Sequence, residues 1–180
     1  MIKRKGIKED MHNKKIRIIT LAAMFASMAI VLKTFLSIQI SDSMRISLFP
    51  IPLLIGGFLL GPWWGLLMGF VTDTVYFMIS PNASFWSVYS ISTMIWGLAG
   101  GLIKLVPVKK DLWKYIIVIA ITTCSETLIN TIANVIYGIS NATLLWRIFA
   151  MIIRFPFLVL TTQIIIKQFL LLTDPNPAHK

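Results

Sequence analysis

The sequence predicts an all-α, polytopic membrane protein: a six-transmembrane-helix bundle with both termini on the cytoplasmic side. Three observations carry that expectation. Hydrophobic residues make up 57% of the 180 positions and charged residues 13%, whereas a soluble domain carries about a quarter charged residues. The mean hydropathy is +0.80. The apolar stretches are continuous rather than alternating every second residue, which disfavours a β-barrel. Finally, the basic residues are segregated: Lys3, Arg4, Lys5, Lys8, Lys14, Lys15 and Arg17 crowd the N-terminus, and Lys104, Lys109, Lys110 and Lys114 crowd one internal loop. With Lys167 and Lys180 near the other end, that is the positive-inside pattern of a membrane protein rather than a nucleic-acid-binding groove. The bilayer is therefore an expected partner and nucleic acid is not.

The length suits one transmembrane domain over residues 1–180, with 1–15 as a basic cytoplasmic segment and 173–180 as a frayed tail containing Pro175 and Pro177. Helices are expected over about 17–38, 47–60, 62–80, 86–106, 113–137 and 143–171. The first is too long for a signal-peptide core and is read as a retained helix. The second is short and carries Pro50, Pro52, Gly56 and Gly57. Parity supports it as a crossing, because without it the lysine-rich loop would fall outside. Pro62 suits the first position of the third helix, where its missing N–H costs nothing. Trp63, Trp64 and Trp113 fit interfacial anchors.

The fifth helix holds the most informative pattern. Glu126, Asn130 and Asn134 recur every four residues, and Thr123 and Tyr137 continue their face. A carboxyl and two amides stacked along a membrane helix are costly unless they face protein or a wet cavity. Asp73 and Tyr76 share a face of the third helix, Trp86, Tyr89, Ser90 and Thr93 a side of the fourth, and Arg147 and Arg154 a face of the sixth. Arg45, beside Asp42, precedes the second helix. Arg154 lies roughly 16 Å down its helix, at a depth comparable to Asp73 and Glu126. Two readings stay open for that trio: an ion pair of Arg154 with Glu126 or Asp73 that locks the bundle, or side chains facing a cavity open to the outside. Trp86 and Tyr89 fit either an aromatic belt or a platform for a planar ligand. Ala22 and Ala26, four apart on helix one with Ala29 nearby, allow close approach of another helix, either within the bundle or from a partner subunit.

Other chemistry finds no support. There is no phosphate-binding Gly-x-x-x-x-Gly-Lys-Ser/Thr loop. His12 and His179 are terminal and Cys124 lies alone in mid-span, which leaves neither a metal ligand set nor a nucleophile–base pair. No cofactor is expected. The glycan-acceptor tripeptides at Asn82 and Asn141 are too common a pattern to weigh.

The run from Arg45 through Phe49-Pro50-Ile51-Pro52, Gly56-Gly57 and Gly61-Pro62-Trp63-Trp64-Gly65 to Asp73 resembles the substrate-binding S components of energy-coupling factor vitamin transporters, most closely the folate-specific branch. Asn130-Thr131, Arg147 with Pro156 nine residues on, and the Ala22/Ala26 strip also resemble that branch. The resemblance implies a six-helix binding subunit in a cell membrane, not an enzyme, with an outward-opening vitamin pocket capped by the loop after helix one. Ala22 and Ala26 would dock on a transmembrane coupling subunit driven by two ATPase subunits. The chain departs from the branch where a Pro-Gly-Phe-Thr run is common, reading Trp86-Ser-Val-Tyr89 instead. For a folate, Trp86 and Tyr89 could stack on the pterin, Asp73, Glu126 or Asn130 could pair with the ring, and Arg45 or Arg147 could hold the anionic tail, with Arg154 a further substrate-binding candidate. An S component for another vitamin and a small membrane enzyme acting on lipid are the alternatives.

Overall fold

The computed structural model describes residues 2–41, 44–80, 88–138 and 144–173, and side chains for those at 12–37, 47–80, 88–138 and 148–172. Among the described residues six α-helices run in chain order: α1 (Ile2–Thr34), α2 (Pro50–Leu60), α3 (Pro62–Ile79), α4 (Val88–Leu102), α5 (Asp111–Ile136) and α6 (Leu144–Thr173). Four stretches are long and apolar enough to cross a membrane: His12–Thr34, Val88–Leu105 (α4 with the 3₁₀ turn Ile103–Leu105 that follows it), Asp111–Ile136 and Ile148–Leu172.

Two features differ from the sequence expectation. Helix α1 continues back to Ile2 through the basic segment, where lysine and arginine are good helix formers. After α1, strands β1 (Ile38–Ser41) and β2 (Met44–Ile46) form an antiparallel hairpin pairing Ile38 with Ile46 and Gln39 with Arg45. Alternating β-branched residues favour that pairing. The helical bundle thus carries a small β element, and α2 starts at Pro50 rather than three residues earlier.

Helix α2 is apolar all round, and its positions from Pro50 to Phe58 are buried, as expected of a helix enclosed by others rather than facing lipid. It joins α3 through Gly61, whose φ of 100° lies in the region where glycine is favoured. Pro62 then opens α3. The buried residues of α3 are Gly65, Met68, Gly69, Thr72, Asp73 and Tyr76, a single stripe at helical spacing.

That stripe meets α4 at very short range. A Cβ on Gly65 would lie 2.0 Å from the Gly97 carbonyl oxygen, and one on Gly97 would lie 1.9 Å from that of Gly65. Small residues allow membrane helices to pack backbone against backbone. The core around this seam includes Leu53, Leu54, Met68, Trp96, Ile119 and Leu158. Isoleucines and leucines such as Ile121, Leu128, Ile132, Ile152, Ile153 and Leu160 point outward from α5 and α6, the surface a lipid-facing helix needs.

Candidate functional site

Polar side chains from α1, α3, α4, α5 and α6 gather in three groups. The first ties the C-terminal end of α1 to α3 and α4. Lys33 donates from Nζ to Asp73 Oδ1 and, at 2.9 Å, to Thr93 Oγ1. Thr93 in turn donates to Asp73 Oδ1 at 3.0 Å. The Lys33 ammonium also lies 4.9 Å from the ring centroids of both Phe49 and Tyr76, a cation–π arrangement that favours a desolvated cation. Ser47 Oγ donates to the Leu32 carbonyl at 3.0 Å, which fastens the chain leaving the hairpin beside this group. Asp73 Oδ2 is buried without a hydrogen-bond partner among the described residues.

The second group joins α5, α6 and α4. Arg154 Nη1 donates to Glu126 Oε2 at 3.4 Å and to Oε1 at 3.5 Å, long for a charge-assisted bond. Of the two partners the sequence offered Arg154, the structure selects Glu126, while Asp73 is taken by Lys33. The guanidinium carbon stands 5.5 Å from the ring centroid of Trp96, which is fully buried. Arg154 Nε and Nη2 and Trp96 Nε1 have no hydrogen-bond partner among the described residues. The arginine therefore keeps donors in reserve beyond its contact with Glu126.

The third group runs from α4 to the end of α5. Tyr89 Oη donates to Asn134 Oδ1, and the Tyr89 ring stacks on Tyr137 at 6.0 Å between centroids. Asn130, one turn before Asn134, has a buried Oδ1 with no hydrogen-bond partner among the described residues, as does the Ser90 hydroxyl. The threonines of α5 behave differently. Thr122, Thr123, Thr127 and Thr131 each donate to a carbonyl four residues back, at 2.6–2.9 Å, so they are satisfied within their own helix.

Glu126 thus meets Arg154 of α6 and Asn134 meets Tyr89 of α4, while Asn130 between them has a buried Oδ1. Asp73 belongs to the Lys33 group. Trp86 lies outside the described residues, as do Asn82, Asn141 and the tail from 174. Arg45 and Arg147 are placed on β2 and α6, but their side chains lie outside the described ones. Sequence reasoning missed Lys33. Its signal is a single lysine at the end of an otherwise apolar span, away from both basic clusters. Ala22 and Ala26 are 7% and 5% exposed and pack in the core with Phe25 and Ala29. The small residues that α1 turns outward include Ala23 and Ser27.

A family model described as "ECF transporter, substrate-specific component" matches residues 17–172. The chain belongs to this family. Its members are substrate-binding components of membrane transporters, so this is a multi-pass cell-membrane protein and not an enzyme. No curated protein matches the chain. Among solved structures, the crystal structure of FolT bound with folic acid matches with a TM-score of 0.69 and 21% identity, covering 80% of this chain and 89% of that one. At that identity the likeness establishes a shared fold.

Proposed function

We propose that this substrate-specific component captures a water-soluble vitamin from the outer side of the membrane, with folate the first candidate, and passes it to a transmembrane coupling subunit driven by separate ATPase subunits. The observation that carries the reading is the concentration of buried, unpartnered polar atoms on Asp73, Ser90, Trp96, Asn130 and Arg154. Such atoms are expensive at membrane depth unless something hydrogen-bonds to them. A ligand with donor and acceptor edges, lying between bundle helices, would satisfy them. The folate preference draws support from the fold shared with FolT bound with folic acid, and from the planar partners Trp96 and Tyr89 beside these atoms.

The test is a thermal-shift and tryptophan-fluorescence screen of the purified full chain against water-soluble vitamins. Folate is expected to raise the unfolding midpoint and quench emission, since Trp96 sits under Arg154. A different vitamin acting in folate's place would retain capture and remove folate. No response to any vitamin, or ATP hydrolysis by the isolated chain, would overturn the reading.

A second reading has the ion pairs in its favour: Lys33 with Asp73 and Arg154 with Glu126 could serve only to lock the bundle. In that case Arg154→Met together with Glu126→Gln should restore stability lost in either single variant, with no ligand response to lose.

A further inference from the structure

A cleft of about 190 Å³ lies at the opposite end of the bundle from the hairpin, lined by the C-terminal end of α2, the turn after α4, the start of α5 and the last turns of α6. Phe58, Ile103 and Leu170 form its apolar wall, and Lys104, Asp111 and Lys114 its polar rim. We propose that this cleft holds the headgroup phosphate of an anionic phospholipid of the cytoplasmic leaflet, with its acyl chains running along the apolar wall. This inference is independent of which substrate the outer site takes.

Three observations support it. First, the charge fits. Lys114 is paired with Asp111 at 2.9 Å, whereas Lys104 lies over the Phe58 ring at 4.5 Å and forms no ion pair with a carboxylate among the described residues. Two ammonium groups and one carboxylate leave the rim with one net positive charge, the complement of a singly charged phosphodiester. Second, the setting fits. Lys109 and Lys110 flank the cleft in the same loop, which the positive-inside rule puts on the cytoplasmic side, where anionic lipid attracts lysine. Trp113 and Leu112 next to it are exposed, as aromatic and aliphatic residues are at a membrane interface. Third, the shape fits. Phe58 and Ile103 are buried while Leu170 is half-exposed, so the wall leads from the rim toward the outer surface of α6. The volume is also below the roughly 300–1,000 Å³ of pockets that enclose a drug-sized ligand, which argues for a headgroup and against a second vitamin site.

The test uses the full chain in neutral detergent, titrated with phosphatidylglycerol or phosphatidylcholine and read by native mass spectrometry. One phosphatidylglycerol should be retained in preference to phosphatidylcholine by about fivefold or more, the scale of one lysine near an anionic surface. Combined Lys104→Ala and Lys114→Ala should abolish the preference, while combined Lys109→Ala and Lys110→Ala should largely keep it. Should the alanine pair fail to fold, Lys104→Arg with Lys114→Arg must still preserve the preference. The proposal is overturned if the two lipids bind equally, or if the loop pair matters as much as the cleft pair. It is also overturned if the arginine pair, folded, loses the preference, or if millimolar inorganic phosphate displaces the lipid, which would indicate a soluble phosphate ligand.

Discussion

Gly97→Ala should open the closest approach found at any described glycine and disturb the polar site through it. The added Cβ would lie 1.9 Å from the Gly65 carbonyl oxygen, whereas real Cβ contacts essentially never fall below 3.0 Å and ordinary contact begins at 3.4 Å. Helices α3 and α4 would have to separate by about 1.1–1.5 Å, and a gap of that order forfeits roughly half of each dispersion contact along the seam. The obstacle is backbone, which cannot swing aside. The expected cost is therefore about 3 kcal/mol, the upper end for overpacking. It corresponds to a midpoint lower by about 6–12 °C for a chain of this size. The same separation stretches the Thr93–Asp73 hydrogen bond, now 3.0 Å, past bonding range, so ligand stabilisation should fall too. Gly56→Ala is the control. Its Cβ would meet chiefly the flexible end of Met68, at 2.7 Å, and it gains up to about 1 kcal/mol of helix propensity. Thermal unfolding of both variants, with and without ligand, gives the comparison. Equal shifts in the two, or a stabilised Gly97→Ala, would refute the closed seam.

Tyr89→Phe strips the donor from Asn134 Oδ1, whose side chain is 1% exposed. It should lower stability by about 1–3 kcal/mol in chemical or thermal unfolding, and a neutral result would mean that another donor replaces the hydroxyl. Asp73→Asn leaves the Lys33 ammonium without its carboxylate and should cost about 3–5 kcal/mol. Asp73→Asn with Lys33→Met should recover much of that loss, and failure to recover would show that Asp73 acts through other contacts. Ala26→Trp should prevent folding because the site is in the core, whereas Ala23→Trp, on the exposed face of α1, should leave unfolding midpoint and ligand response unchanged. A midpoint shift for Ala23→Trp would place that face inside the packing.

Periodicity revealed the polar face of α5 because it is a local property: Glu126, Asn130 and Asn134 share a side whatever surrounds them. Which charge meets which is not local. Arg154 is within reach of Glu126 only because α5 and α6 run antiparallel at a particular register, and two acceptors at similar depth were equivalent on sequence grounds. Lys33 escaped notice because a lysine near a helix end reads as a snorkelling interfacial residue. Its role emerges only when α3 brings Asp73 and α4 brings Thr93 to it. The glycines of α2, α3 and α4 read as interruptions of a span, yet Gly65 and Gly97 bring α3 and α4 backbone to backbone. The helix at residues 2–16 and the hairpin at 38–46 were hidden for a different reason. Hydropathy locates apolar spans, and neither element is one.

The pairing of charges also limits which side chains can recognise an anionic ligand. Lys33 and Arg154 each already face a carboxylate, so the site offers hydrogen-bonding capacity at no net charge. A ligand's flat, amide-rich portion suits that environment: Asn130 Oδ1 and Asp73 Oδ2 can accept, and Arg154 Nε and Nη2 can donate. A tail with two carboxylates does not, unless each displaces a resident acid or meets a further cation. Arg45 and Arg147 are the remaining basic residues outside the two basic clusters, the C-terminal lysines and these pairs. For a folate-like ligand, Arg147→Ala should therefore weaken folate at least tenfold, the loss of one charge-assisted contact, while leaving pteroate, which lacks the glutamate tail, almost unchanged. Arg154→Ala should weaken both alike. Tryptophan-fluorescence titration of each ligand against each variant yields the four affinities. If Arg147→Ala weakens pteroate as much as folate, the division between a neutral ring site and a cationic tail site fails, and Arg147 belongs to the ring site or to the packing of α6.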